Sequence, residues 1–304
     1  MKKNKILLVG FMISMFLLGG CAKNTEGIAI QVNKESVSIE AYEREYEVYK
    51  DLYERQYGED ALSQEGINGK TIGEELRDTI ISKLTAEALI EKDSIDKGIQ
   101  VSEEEVKENI DKYKESIGGE DKYREFLENN NLTEEYFKEN IRKTLLLEKH
   151  KEFVKNEFSI NEAESIMYFN ENSEDIIEIK ASHMLFSNEE DANRVKKQLA
   201  DGESFEDLAK AESLDSVSAL NGGDLGYFSR GNMIPEFEDK AFSLDVGETS
   251  DVLKTEVGYH IILIKDKKTD YKDLKDKTID MLKEQKYIEY LRTLRENAKI
   301  TVYI

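Results

Sequence analysis

The chain has 304 residues, room for two domains of ordinary size, and its formal net charge of −22 excludes a nucleic-acid partner, because phosphate demands clustered Lys and Arg. Its single cysteine excludes a disulfide framework and leaves no thiol nucleophile in the body of the chain. With 36% charged residues, 39% hydrophobic residues and no tryptophan, the composition describes a helix-rich, strongly solvated chain with modest packed cores.

Residues 1–20 read as an export signal. Lys2, Lys3 and Lys5 precede the apolar run Ile6 to Leu18, which is too short to cross a hydrocarbon core of about 30 Å as a helix. The following Leu18-Gly19-Gly20-Cys21 resembles the lipobox of bacterial lipoproteins, which implies that Cys21 becomes the lipidated first residue of the mature chain. Several acyl chains on one residue, palmitate among them, hold a protein stably on a membrane where one chain alone is marginal.

Residues 22–27 form a polar tether, and the alternation from Ile28 to Ile39 predicts two short strands around Asn33-Lys34. A helix is expected from Ile39, with Tyr42, Tyr46, Tyr49 and Tyr53 at helical spacing as a packing face that also suits binding of other chains. After a loop from Gly58 to Thr71, Thr71 and Glu74 make a capping box for a helix through Leu76, Ile80, Leu84, Ala88 and Ile95 to a C-cap at Gly98. Ser102-Glu-Glu-Glu105 and Thr133-Glu-Glu-Tyr136 start further helices, the second passing Phe137, Ile141 and Leu145 to about Phe158. His150, flanked by lysines, reads as solvated surface, and Asn161 to Asn172 as one more short helix.

From Glu178 the pattern changes. Two of the three histidines sit in strand-like runs, His183 in Glu178 to Phe186 and His260 in Gly258 to Lys265. Between them lie a helix from Asn188 to Ala200, a glycine-punctuated loop from Asn221 to Gly231, and the only proline, Pro235, suited to the first turn of a helix carrying Phe237, Ala241 and Phe242. Residues 178–268 are expected to fold alone. Residues 270–297 return to helical periodicity and Lys299 to Ile304 read as a strand; such a tail needs the N-terminal helices, so the simplest layout is one domain built from both ends with the other inserted.

Ala181-Ser182-His183-Met184-Leu185, Gly222-Gly223-Asp224-Leu225-Gly226-Tyr227-Phe228, Phe237-Glu238-Asp239-Lys240-Ala241-Phe242 and Gly258-Tyr259-His260-Ile261-Ile262, in that order, resemble the parvulin family of peptidyl-prolyl isomerases. The whole mature chain resembles, more loosely, extracytoplasmic foldases of the PrsA and SurA type. The resemblance implies an α+β fold, a four-stranded antiparallel sheet with surrounding helices, inserted in a mainly helical chaperone domain built from both chain ends. The expected divisions are a signal peptide at 1–20, an N-terminal helical domain at 21–177, the isomerase at 178–268 and a completing helix and strand at 269–304. In the first hairpin Asn33-Lys34 stands where many relatives have Asn-Gly, which weakens the turn chemistry.

The resemblance further implies a proline pocket of Leu225, Met233 and Phe237 above His183 and His260, with Asp215 or Ser216 as the third polar member. Asp215 is preferred because a carboxylate accepts from an imidazole and fixes its tautomer. The histidines serve either as catalytic site residues or as structural partners in the sheet. Val257 occupies a place where some parvulins carry a small hydroxyl residue, so the hydrogen bond expected there is absent.

No metal or cofactor is called for. The histidines lack a His-x-x-x-His spacing, and the Gly222 loop lacks the lysine of a phosphate loop. Ser187-Asn188-Glu189-Glu190-Asp191 would repel a phosphorylated substrate. The expected function is isomerisation of X-Pro bonds in unfolded or newly exported polypeptides, in support of secretion, on the outer face of the cell membrane of a Gram-positive bacterium through the Cys21 anchor. The alternative is a holding chaperone with a weak or inactive parvulin domain. A homodimer is among the states this layout admits.

Overall fold

The computed structural model describes residues 26–66 and 69–304, so the expected export signal and Cys21 lie outside the described residues. The chain forms two compact units, residues 26–147 with Arg295–Ile304, and Glu148–Leu294.

In the first unit β1 (Ile28–Val32) and β2 (Glu35–Ser38) make the expected hairpin. The turn closes without Asn-Gly because Asn33 itself adopts φ 56°, a left-handed conformation that Asn tolerates better than most side chains. The amide of Asn33 donates to the Lys299 carbonyl at 2.8 Å, and its Oδ1 accepts from the Lys299 amide at 2.8 Å. Those bonds lead into β7 (Ile300–Val302), which pairs antiparallel with the other edge of β1, so the two ends of the chain share one three-stranded sheet.

Helix α1 (Ile39–Tyr57) is capped by the Ser38 hydroxyl, and α2 (Ile72–Lys97) has the Thr71–Glu74 capping box and a left-handed Gly98 at φ 72°. The tyrosine stripe turns out to be core-facing: Tyr42 is buried and Tyr46, Tyr49 and Tyr53 pack partly buried against the cluster of Ile30, Ile80 and Leu84. Three more helices, α3 (Glu103–Ile117), α4 (Glu120–Asn129) and α5 (Glu134–Glu157), supply a second cluster. There Tyr113, Tyr123, Phe126 and Phe137 meet with ring centroids 5.1 to 6.4 Å apart. The Glu45 carboxylate, 1% exposed, is satisfied by Lys83 Nζ at 2.7 Å and the Tyr136 hydroxyl at 3.1 Å, as a buried charge requires.

The second unit contains α6 (Glu162–Glu171), α7 (Ser173–Ile176), β3 (Glu178–Phe186), α8 (Glu189–Ala200), α9 (Phe205–Glu212), α10 (Ser216–Ala219), β4 (Asp224–Phe228), α11 (Pro235–Ser243), β5 (Leu253–Thr255), β6 (Gly258–Lys268) and α12 (Tyr271–Glu296). Its sheet is antiparallel, four-stranded and ordered β4-β3-β6-β5. Because strand side chains alternate, Met184, Phe186 and Ile261 face α8 and α9, whereas Ile179, Ala181, Ile262 and Ile264 face Phe237 and Ala241 of α11. The fold is thus α+β as expected. No helix among the described residues is long and apolar enough to cross a membrane.

His150 corrects the surface reading. It is 0% exposed, with Nδ1 2.9 Å from the Tyr287 hydroxyl, because it shares a helix face with buried Val154 while its lysine neighbours are rotated about 100° away.

Residues 178–268 carry both faces of the sheet, but Phe169, Ile176 and Leu274 form a further buried cluster outside them. The fragment 178–268 is expected to melt cooperatively. A fragment spanning 148–294 should melt about 5–15 °C higher by circular dichroism, as restoration of these apolar contacts predicts.

Candidate active site

The site begins with strand register. In the β3–β6 pairing His183 lies opposite Ile262 and His260 opposite Leu185, so the two histidines occupy diagonal positions on one face of the sheet. Their rings are nearly parallel, 19° between planes and 5.6 Å between centroids, with Nδ1 to Nδ1 at 3.4 Å. Phe237 stands edge-on to both, 5.7 Å from the His183 ring and 5.6 Å from the His260 ring.

Each end of the histidine pair has a fixed partner. Asp215, preferred over Ser216 from sequence, meets His183 Nε2 through Oδ2 at 2.7 Å, while Ser216 stands exposed as the first residue of α10. The Asp215 carboxylate also accepts from the Ser218 hydroxyl at 2.5 Å and from the Val217 amide at 3.2 Å. The Ser218 hydrogen bond above all, helped by that from His183, holds Asp215 down to about 2 against the desolvation that opposes it. At the other end His260 Nε2 lies 2.9 Å from the Thr255 hydroxyl. The Val257 side chain supplies no such bond, as expected, and the hydroxyl comes from another position. Thr255, at the end of the three-residue strand β5, supplies it, and the Val257 amide donates to that same hydroxyl at 3.3 Å.

The partners fix the direction of the protons when both imidazoles are neutral. An ionised Asp215 only accepts, so His183 Nε2 carries a hydrogen; His183 Nδ1 then accepts from His260 Nδ1, and His260 Nε2 accepts from Thr255. Burial, and secondarily the neighbouring His183, push His260 down to about 4, so it is neutral at physiological pH.

Leu225, Met233 and Phe237 come together on this face. Phe237 is buried in the cluster, and Leu225 and Met233 pack half-buried against it. Two devices hold this apolar group in place. The buried Glu238 carboxylate accepts from the Met233 amide at 2.7 Å and the Gly231 amide at 3.0 Å, clamping the loop that bears Met233. Gly223 at φ 79° lets its chain lie against β3, where its carbonyl accepts from the His183 amide at 2.9 Å; a Cβ there would meet the His183 carbonyl at 2.3 Å. Sequence reasoning missed Thr255, Ser218 and the role of Glu238, although Glu238 stands inside a quoted motif.

Residues 164–268 match the PPIC-type PPIASE domain family and residues 2–151 the SurA-like N-terminal domain family. The chain is 32% identical to the foldase protein PrsA of Halalkalibacterium halodurans, covering 99% of this chain and 85% of that protein. The chain belongs to the PrsA foldase family. It is a peptidyl-prolyl cis-trans isomerase of the parvulin type that assists protein folding. Identity is 33% to the foldase protein PrsA of Exiguobacterium sibiricum, over 91% of this chain and 79% of that protein. Among solved structures, the peptidylprolyl isomerase PrsA of Bacillus anthracis is 34% identical over 71% of this chain and 96% of that one, with a TM-score of 0.36.

The foldase should lose stability in acid in a window set by His260. Above its ordinary value of 6.5 neither state binds the proton; from there down to about 4 only the unfolded chain does, so stability falls as pH falls, and below about 4 the loss is complete. Asp215 adds a second loss between 3.8 and about 2, where the unfolded carboxylate is protonated first. Urea unfolding at pH 7 and pH 4.5 is expected to show about 2–3 kcal/mol of His260-dependent loss, absent from the pH difference of His260→Gln.

Proposed function

We propose that this foldase isomerises X-Pro bonds of newly exported polypeptides on the outer face of a cell membrane, anchored by lipid on Cys21, with Leu225, Met233 and Phe237 holding the proline ring over His183, His260 and Asp215. The observation that carries the site assignment is the hydrogen-bonded row Asp215–His183–His260–Thr255, whose two imidazoles meet the Phe237 ring edge-on at 5.7 and 5.6 Å. Rotation about X-Pro meets a barrier of about 18–20 kcal/mol because the twisted amide loses resonance. No nucleophile or metal is required, only a surface that binds the twisted amide better than either planar form. The polar row fixes the floor of the pocket, and the apolar wall removes the ring from water.

The anchoring part rests on the short apolar run ahead of Leu18-Gly19-Gly20-Cys21. The inserted arrangement, one chaperone domain built from both chain ends around the isomerase, draws support from the pairing of β1 with β7, with the compact units dividing at 147/148 and 294/295 in place of the expected 177/178 and 268/269. A purely holding role is the second reading. It draws on a cavity of about 450 Å³ in the first unit, lined in part by Val48, Tyr49, Leu52, Phe126 and Leu132, where an unfolded apolar segment could lodge.

Met233 is half-buried, so Met233→Ala should fold normally while lowering kcat/KM on proline-limited substrates about tenfold, one decade for each 1.36 kcal/mol of lost transition-state binding. Phe237→Ala should lose more and also destabilise by about 3–5 kcal/mol. His183→Gln and His260→Gln are expected to lower the melting temperature more and the rate less than Met233→Ala, as residues that shape the floor. A folded Met233→Ala protein as fast as the parent would overturn the pocket.

For the anchor, Cys21→Ala should shift the protein from the membrane fraction to the medium of the expressing cells. Unchanged sedimentation with membranes would refute lipidation at this residue.

A further inference from the structure

Three large apolar side chains stand in water beside the polar row. Leu214 is 59% exposed, Val217 79% and Leu220 80%, the last two among the most exposed large apolar residues of those described. Their exposure follows from α10, whose single turn sends Ser218 and Ala219 inward at 5% and 7% exposure and places Val217 and Leu220, three positions apart, together outside.

This segment is held firmly. The Leu214 amide donates to the Leu185 carbonyl of β3 at 2.8 Å, the Ala219 amide to the Asp215 carbonyl at 2.9 Å, and the Gly223 amide to the Ser218 carbonyl at 2.8 Å. Apolar groups displayed on a fixed backbone bind with little ordering cost. They also adjoin the site, since the Val217 amide and His183 Nε2 contact the same Asp215 carboxylate, at 3.2 and 2.7 Å.

We propose that Leu214, Val217 and Leu220 form an apolar rim that selects client segments with a large apolar residue next to the isomerised proline. The inference rests on the assignment of Met233, Phe237 and the polar row as the isomerase site. Its occupant is the substrate itself: an extended chain advances about 3.3 Å per residue, so a proline over the Phe237 and His183 rings brings its neighbours within one or two residues of the Asp215 segment. The rim side chains offer no donor or acceptor, and a charged residue pressed against them would lose hydration without a partner. An apolar one would remove surface from water on both sides.

The test measures kcat/KM of the full chain on Ala-Xaa-Pro-Phe and Ala-Pro-Xaa-Phe peptides with Xaa as Leu or Glu. In at least one series the Leu/Glu ratio should be about tenfold or more, a size that apolar pockets reach. In the triple variant Leu214→Ser, Val217→Ser, Leu220→Ser, checked for an unchanged melting temperature, the ratio should fall to about twofold. Ile288→Ser, an exposed apolar residue of α12 at 54%, should keep the parent ratio. Parent turnover with ratios near one, or a preference surviving in the triple variant, overturns the rim and leaves the isomerase site standing. Absence of turnover on every peptide instead removes the site assignment on which the rim depends. Self-association of the parent that the triple variant abolishes would make the patch a contact between copies and overturn the proposal.

Discussion

Pairing of β3 with β6 is the constraint from which the site follows. The register that sets His183 opposite Ile262 and His260 opposite Leu185 puts both imidazoles on the face covered by α11. Strand side chains alternate with a period of two, so a one-residue slip of either strand would send its ring to the face of α8 and α9, bring Met184 or Ile261 in its place and part the two imidazoles. The register is specified from both sides at once, because each face is packed with its own apolar cluster and neither would tolerate the other's side chains.

Given that register, the polar row solves a problem that it also creates. Two imidazoles under an aromatic wall are cut off from water, and each unpaired ring nitrogen would cost about 1–3 kcal/mol. Asp215, held by Ser218 and Val217, and Thr255 at the end of β5 close the row so that every ring nitrogen has a partner. The result is a floor that is hydrogen-bonded throughout, with His260 held neutral by its burial. Under the proposed function such a floor needs no reorganisation when an amide twists above it, since preorganised polarity of this kind stabilises a distorted state without covalent chemistry.

The first unit depends on a comparable closure at the scale of the chain. A hairpin of two short strands is marginal in water, and β7 adds the third strand from the far end of the sequence. Asn33 does double duty there, turning the hairpin through its left-handed backbone and tying Lys299 with main chain and side chain. The tyrosine face of α1 is spent on packing this sheet against α2, which leaves less of it for binding other chains than its sequence spacing suggested.

By itself the sequence determined the elements whose signals are local. Alternation placed β1, β3 and β6, Thr71–Glu74 and Ser102–Glu105 started their helices, Gly98 ended one, and Pro235 opened α11. It also carried the fold class and the isomerase activity, because the motifs around His183, Gly223, Phe237 and His260 keep their order. Tertiary structure alone decided what depends on distant partners. His150 is buried because its helix face meets Tyr287, although its sequence neighbours are lysines. Thr255 rather than residue 257 serves His260 because β5 pairs with β6 so that Leu253 opposes His260 and brings the Thr255 hydroxyl to its Nε2. The choice between Asp215 and Ser216 likewise falls to geometry: one capping turn directs the carboxylate toward His183 and leaves the next residue in water. Local signals set an element's type because they act within a turn or a strand. Hydrogen-bond partners separated by many residues are chosen only when packing brings the strands into register.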